Sequence, residues 1–490
     1  MRTLRRSCAA CAKSKHSCDL QTPRCSRCIK RKVLCVYANE PLTALPAAPR
    51  PEDGASMRSL DGSSALSSYR FGSLDPFDSY PQTRLPRERV QRLIHSFIHK
   101  IAFQYYPLDL NPTSNPFLVT WWPLALGDPA LFHVSLQTAC LDEELLAQKG
   151  FQTSEILMVD SVTLLRRKVE DVSLAVQDGT MNSVITLAAI EFGKGNIKMS
   201  EVHVDGVKRL VNMRGGINSV RQTSPLTARM ISWVSMIVMG HPQFETQDDI
   251  GIGDGIPPIP EWHLDSTTLH DDLSDLSGII DVDSVVQNVF IRLRNAFRRA
   301  HQIPFPTTRL HDLTCFVIHR LLHSASETTI PQSSSITECI RYAIIIYMFI
   351  TQGPTYYSHA VILNTIITRF VKYLQQLEPT PHVSDSLNVW LLAIGMVAST
   401  YSPHYQWFTE RARAVAASLQ LGNWNDVFAR VKNVLWLETL QGEIIFRSHW
   451  DAILSPADQP GSSDLTICIS PSCTGTGFYE IQSHLQVGTM

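Results

Sequence analysis

The chain has 490 residues, of which 44% are hydrophobic and 18% charged, a balance that excludes a wholly disordered or fibrous protein. The formal net charge of -2 conceals an asymmetry. Residues 1–37 hold ten Lys and Arg against one acid, Asp19, so the remainder is acidic by eleven charges and the chain reads as a polyanion-binding head on an acidic body.

The N-terminus, MRTLRRSC, contains no apolar stretch of signal-peptide length. The longest strongly apolar run, Tyr342–Ile350, is far short of the ~18–20 residues a bilayer span requires, and it is expected to be a core helix. No membrane partner is expected. The cysteines should sit in a reducing compartment, as thiols or metal ligands.

Six of the eleven cysteines fall between positions 8 and 35 in the pattern C-x2-C-x6-C-x6-C-x2-C-x6-C. Adding 17 to Cys8, Cys11 and Cys18 gives Cys25, Cys28 and Cys35, and the same shift maps Lys13 onto Lys30 and Lys15 onto Lys32. Two copies of one unit imply a pseudo-twofold arrangement. Six ligands complete two tetrahedral zinc ions only if two sulfurs bridge, and thiolates are soft enough to do so. Such a head cannot bury enough apolar surface to fold alone, so metal binding should drive its folding. The head would then keep a net charge of roughly +7, counting two zinc ions and six thiolates. A secreted disulfide knot would leave the basic repeat unexplained, and a one-zinc finger lacks histidines at the required spacing, since His16 lies between ligands.

This motif resembles the DNA-binding head of the fungal zinc binuclear cluster regulators over Cys8–Cys35, including Pro23 in the loop before Cys25. The resemblance implies that Cys8 and Cys25 bridge both ions, with Cys11 and Cys18 completing one site and Cys28 and Cys35 the other. It also implies that the short helix after the first knuckle enters the major groove at a CGG triplet. Lys15 stands at the family's base-reading position, with Lys13 beside it, and an ammonium can donate to guanine O6 and N7. Ala12 and Ser17 depart from the common pattern, where many members carry Arg or Lys, and the CAxSK variant is similar to regulators of secondary-metabolite gene clusters. Arg24, Arg27, Lys30, Arg31 and Lys32 are the expected phosphate contacts; the alternative is a solvated basic face that serves nuclear import, and the two roles are compatible.

From Ala38 to Arg87 there are seven prolines, eight serines and no sustained heptad repeat, so residues 38–84 are expected to be a flexible linker without a dimerising coiled coil. Helical periodicity begins at Val90, Leu93, Ile94, Phe97, Ile98 and Ile101, and Val204, Val207, Leu210 and Val211 repeat it before Gly215 and Gly216. Further helices are expected near 156–170, 225–240, 285–300, 311–323, 337–350, 359–377, 387–399, 406–421 and 427–450. The expected fold is thus a small zinc-nucleated binuclear cluster module with two short helices, followed by a large all-α helical domain over 85–455. Residues 456–490, rich in Ser, Gly and Thr, are expected to be a disordered tail.

The body also resembles a family, the fungal-specific transcription factor domain. Asp75-Pro76-Phe77-Asp78-Ser79-Tyr80-Pro81 is similar to its DPFxxxP box, and the stretch from Asp205 through Arg214-Gly215-Gly216 is similar to its HxxGxxxxxxxRGG element. No metalloprotease, Walker A or nucleophile-elbow motif is present, and Gly251–Gly255 reads as a turn. His311 and His319 read as core or surface residues, and Cys140, Cys315 and Cys339 as buried small hydrophobes. Glu261–Asp283 holds seven acids interleaved with Trp262 and four leucines, the composition either of a coactivator-docking segment or of an acidic loop between helices. The expected function is a non-enzymatic nuclear regulator of RNA polymerase II genes that binds double-stranded DNA with two zinc ions. Coactivators and a second copy of the chain are further candidate partners. A ligand-sensing or enzymatic body bearing this head is the alternative, and a zinc protein that binds an acidic protein instead of DNA is a third reading.

Overall fold

The computed structural model describes residues 9–18, 25–33, 35, 80–148, 150–263, 282–327, 334–377 and 384–454. It divides into two units, residues 1–74 and 75–490. In the first, α1 (Ala9–Lys13) and α2 (Ser26–Lys30) pack against each other. The expected linker lies almost wholly outside the described residues, as do Cys8, Arg24, most of the DPFxxxP-like box and the C-terminal stretch.

The second unit is helical throughout its described length. Helix α3 (Arg87–Ser96) runs through a π-helical turn, Phe97–Ile101, into α4 (Ala102–Tyr105). A second π-turn, Phe117–Trp121, leads into α5 (Trp122–Gly127). Then come α6 (Pro129–Ala147), α7 (Gln152–Val169), α8 (Val172–Ala175), α9 (Asp178–Gly193), α10 (Ile197–Met213), α11 (Ile217–Thr223) and α12 (Pro225–Met239). The later layer comprises α13 (Ser284–Gln302), α14 (Thr307–Glu327), α15 (Ser335–Gln352), α16 (Ala360–Leu377), α17 (Asp385–Ala398), α18 (His404–Ser418), α19 (Trp424–Val434) and α20 (Leu440–Leu454). Among the described residues the only β-type pairing is one isolated bridge, Thr246 with Ile256. No described helix is long and apolar enough to cross a membrane, and Tyr342–Ile350 lies within α15, nearly all of it buried.

Helix α9 is the hub of the first layer. Every residue from Gly179 to Gly193 is buried, and α6, α7, α10 and α12 all pack on it. A helix apolar on all sides shows no amphipathic stripe, which is why periodicity did not reveal α6 or α9. The expected single helix over 427–450 is corrected: α19 and α20 are separated by non-helical residues 435–439, of which Leu435, Trp436 and Leu437 are buried and Leu435 is extended. The break is stable because side chains satisfy its backbone. Trp390 Nε1 donates to the Leu435 carbonyl at 2.8 Å, and the Leu437 N–H donates to Tyr347 Oη at 2.8 Å.

The end of α10 ties four elements together. Gly215 (φ +94°) occupies the left-handed position that closes a helix, and the Gly216 N–H returns to the Val211 carbonyl at 2.9 Å. Arg214 then pairs with Asp178 at the start of α9, donates to the Val176 carbonyl at 3.3 Å, and reaches Thr223 Oγ1 and Ser224 Oγ at 2.7 and 2.8 Å. The Arg-Gly-Gly element is therefore a clamp on α9 and the α11–α12 junction. Helix α14 is held by buried Asp312, whose carboxylate takes two-pronged contacts of 2.7–2.9 Å from both Arg221 and Arg229. Burial alone would raise this carboxyl, but Arg229 and Arg221 together keep it below its ordinary range.

Residues Gly251–Gly255 form the expected turn, with the Asp248 carboxylate accepting from the N–H groups of Ile250 and Ile252. The acidic stretch from 261 divides. Trp262 is fully buried with Nε1 on Asp249 at 2.9 Å, Glu261 pairs with Arg309, and Asp283 caps α13. These residues are fold anchors, whereas 264–281 lie outside the described residues.

Cys140, Cys315 and Cys339 are buried, and burial pushes each thiol up to about 12. Burial likewise lowers His311, His319 and His359 from the usual 6.5 to about 4. Below pH 6.5 the unfolded chain binds protons at these histidines that the folded chain refuses until about pH 4, so stability falls as pH drops through that window. The thermal midpoint of the full chain should decline steadily across it, and a midpoint that holds level would contradict neutral burial of the three imidazoles. Asp312→Ala should destabilise by about 3–5 kcal/mol in denaturant titration, since it leaves Arg221 and Arg229 without their shared anion.

Candidate metal centre and nucleic-acid interface

The 17-residue repeat of the sequence reappears as backbone geometry. Helices α1 and α2 superimpose in numbering under that shift, with Cys11 and Cys28 each third in its helix. Both helices end in the same six-residue closure: the His16 N–H returns to the Cys11 carbonyl at 3.0 Å, and Val33 to Cys28 at 3.2 Å. In each closure the left-handed residue is a lysine, Lys15 (φ +51°) or Lys32 (φ +49°), where glycine would cost less. The sequence repeat located these two lysines; their backbone conformation was not legible, because nothing in a lysine signals it.

The thiols converge. Cys11 Sγ and Cys25 Sγ are 3.7 Å apart, and the sulfurs of Cys11, Cys25 and Cys28 lie within 4.8 Å of one another. A disulfide needs about 2.05 Å, whereas two sulfurs on one tetrahedral zinc with bonds of ~2.3 Å sit ~3.8 Å apart. The spacing fits shared metal ligation. Cys25 accepts from the Cys28 N–H at 3.4 Å, and its own N–H donates to Cys35 Sγ at 3.4 Å. These bonds favour the thiolate forms that a metal takes. Cys11, Cys25, Cys28 and Cys35 form a small buried cluster of their own, with half-buried Cys18 packed against it. Cys8 lies outside the described residues. Five of the six expected ligands are thus brought together.

The expected DNA contacts form the outside of this cluster. Lys13, Lys15, Arg27, Lys30, Arg31 and Lys32 are all exposed, and none pairs with an acid among the described residues. Lys13 and Lys30 end α1 and α2, where the helix dipole favours cations. Arg31 donates to Ser14 Oγ at 3.2 Å, which joins the second half to the loop carrying Lys15. Sequence reasoning did not anticipate this link, although Ser14 and Arg31 are themselves related by the shift of 17.

Residues 6–44 match the fungal Zn(2)-Cys(6) binuclear cluster domain. Residues 92–240 match the fungal specific transcription factor domain. The chain carries both domains of a fungal zinc-cluster regulator. No curated protein and no solved structure matches it. The second match covers α3 to α12 apart from the first residues of α3, including the Arg214 clamp, and ends before α13. Both matched domains are those of fungal transcription factors, and together they support zinc binding and DNA binding by this chain. Nothing in either match points to catalysis.

Chelation of the full chain should expose the head's thiols to a thiol reagent while Cys140, Cys315 and Cys339 stay slow. Equal reactivity before and after chelation would mean that the cluster does not hold metal.

Proposed function

We propose that the head holds two zinc ions through all six cysteines and reads CGG-type triplets in the promoters of RNA polymerase II genes. Cys8 and Cys25 bridge the ions in this reading. What supports it is the position of Cys25, close to Cys11 of the first half and to Cys28 and Cys35 of the second. Lys15 and Lys13 read the base edges, while Arg24, Arg27, Lys30, Arg31 and Lys32 contact phosphates and fix the register. The twofold-related closures place Lys15 and Lys32 alike, yet only Lys15 follows the helix assigned to the groove. The protein acts in the nucleus, with the head on residues 1–37, a linker over 38–84 and a regulatory body over 85–455. The CAxSK form of the first knuckle supports a role in controlling a secondary-metabolite gene cluster.

An anisotropy titration of the full chain against duplexes with and without CGG tests this reading. Lys15→Ala should cost about 1–3 kcal/mol on the CGG duplex and little on the other, erasing the preference. Lys30→Ala should weaken binding to both duplexes alike and reduce the salt dependence. Zinc-independent binding, or an unchanged preference in Lys15→Ala, would refute it.

A further inference from the structure

Ser14 and Arg31 occupy equivalent places in the two halves of the head, one residue before Lys15 and one residue before Lys32. They also touch each other, with Arg31 Nη1 donating to Ser14 Oγ at 3.2 Å. Two residues related by an approximate twofold can meet only beside the axis that relates them. Cys11 and Cys28, another equivalent pair, likewise have their sulfurs within 4.8 Å. The Ser14–Arg31 contact therefore lies where the halves join, with the Lys15 closure on one side and the Lys32 closure on the other.

At such a place identical residues would fail. Two arginines would set like charges against each other, and two serines are too short to span what an arginine spans. An unlike pair meets the requirement and makes the halves unequal. On the first side Ser14 is fixed at its own end, since its N–H and its hydroxyl both return to the Ala10 carbonyl, at 3.1 and 2.8 Å. Its oxygen is left to accept from Arg31. On the second side the Arg31 N–H returns to the Arg27 carbonyl at 3.0 Å, which holds its main chain at the end of α2. Arg31 is exposed, and a guanidinium is a planar fork of several N–H donors, so donors beyond the one on Ser14 remain for a phosphate oxygen. One side chain can thus hold a phosphate and the main chain next to Lys15 together. The residue before Lys32 is Arg31 itself, whose side chain reaches across to the other half.

We propose that Arg31 is a positioning residue for base reading. Through Ser14 it ties the register set at the phosphates to Lys15, and this inequality between the halves makes Lys15, rather than Lys32, the reader. The inference rests on Lys15 reading CGG, and the test separates the two.

Anisotropy titrations of the zinc-loaded full chain on duplexes with and without CGG, at several salt concentrations, provide that test, with Lys15→Ala alongside. Ser14→Ala removes the acceptor and keeps every charge. It should lower the preference for CGG about three- to tenfold, while binding to the other duplex and the salt dependence stay as in the wild type. Ser14→Thr keeps a hydroxyl and should keep the preference. Arg31→Lys keeps the charge but replaces the fork by one ammonium, so it should lower the preference by a similar factor, and adding Ser14→Ala to it should lower it little further. A wild-type preference in Ser14→Ala, or equal weakening on both duplexes, would overturn the positioning role and leave Lys15 as the reader. An unchanged preference in Lys15→Ala would overturn the base-reading assignment and this inference with it.

Discussion

A segment of fewer than forty residues with ten cations and one acid has no hydrophobic means of staying folded. Its buried interior is sulfur: Cys11, Cys25, Cys28 and Cys35, with Cys18 against them. Everything the head presents depends on that centre. Helices of five residues do not persist in water alone, and the cations on their outer faces repel one another. Metal–thiolate bonds would supply the missing cohesion between the two halves, which Arg31 also links by donating to Ser14.

The body obeys a different constraint, in which buried polar groups must find partners. Arg214 serves the starts of α9 and α12 and the end of α11 at once, and Asp312 draws together α11, α12 and α14 through two arginines. Where the chain leaves regular structure between α19 and α20, Trp390 and Tyr347 take over the hydrogen bonds a helix would have made. Close packing sets further limits: a Cβ at Gly395 would come within 2.0 Å of the Phe408 ring, so α17 and α18 can approach only with glycine there. The Arg214 clamp and the buried α9 hub thus hold the first layer of the body together. The enclosed cavity beside Asp312 measures about 10 Å³, room for a single water.

Legibility in the sequence followed amphipathicity and ligand spacing. Helices with one wet face, such as α3, α10, α13 and α16, carry their stripe in the order of residues and were readable from it. Helices α6 and α9 were not, because burial on all sides removes the stripe. The apolar continuity of 427–450 suggested one helix because Leu435, Trp436 and Leu437 are as hydrophobic as their neighbours, and only tertiary hydrogen bonds decide that they are non-helical. In the head, cysteine spacing announced the ligands because coordination geometry restricts it tightly. The left-handed backbone at Lys15 and Lys32 had no such announcement.

That backbone has a consequence for recognition. A lysine held at positive φ immediately after a short helix leaves the helix axis at a fixed angle, with its neighbour returned by hydrogen bond to the Cys11 carbonyl. Cys11 is itself a candidate metal ligand, so the main chain that carries the side chain proposed to read the base is tied, through the His16 N–H, one hydrogen bond away from the cluster. A flexible four-carbon stem ordinarily makes lysine an imprecise reader. Here the main chain beneath it is constrained by the same atoms that hold the fold, and the freedom left to Lys15 is that of its side chain alone. Precision at the DNA then derives from coordination chemistry, while any added length of recognised sequence has to come from a second head.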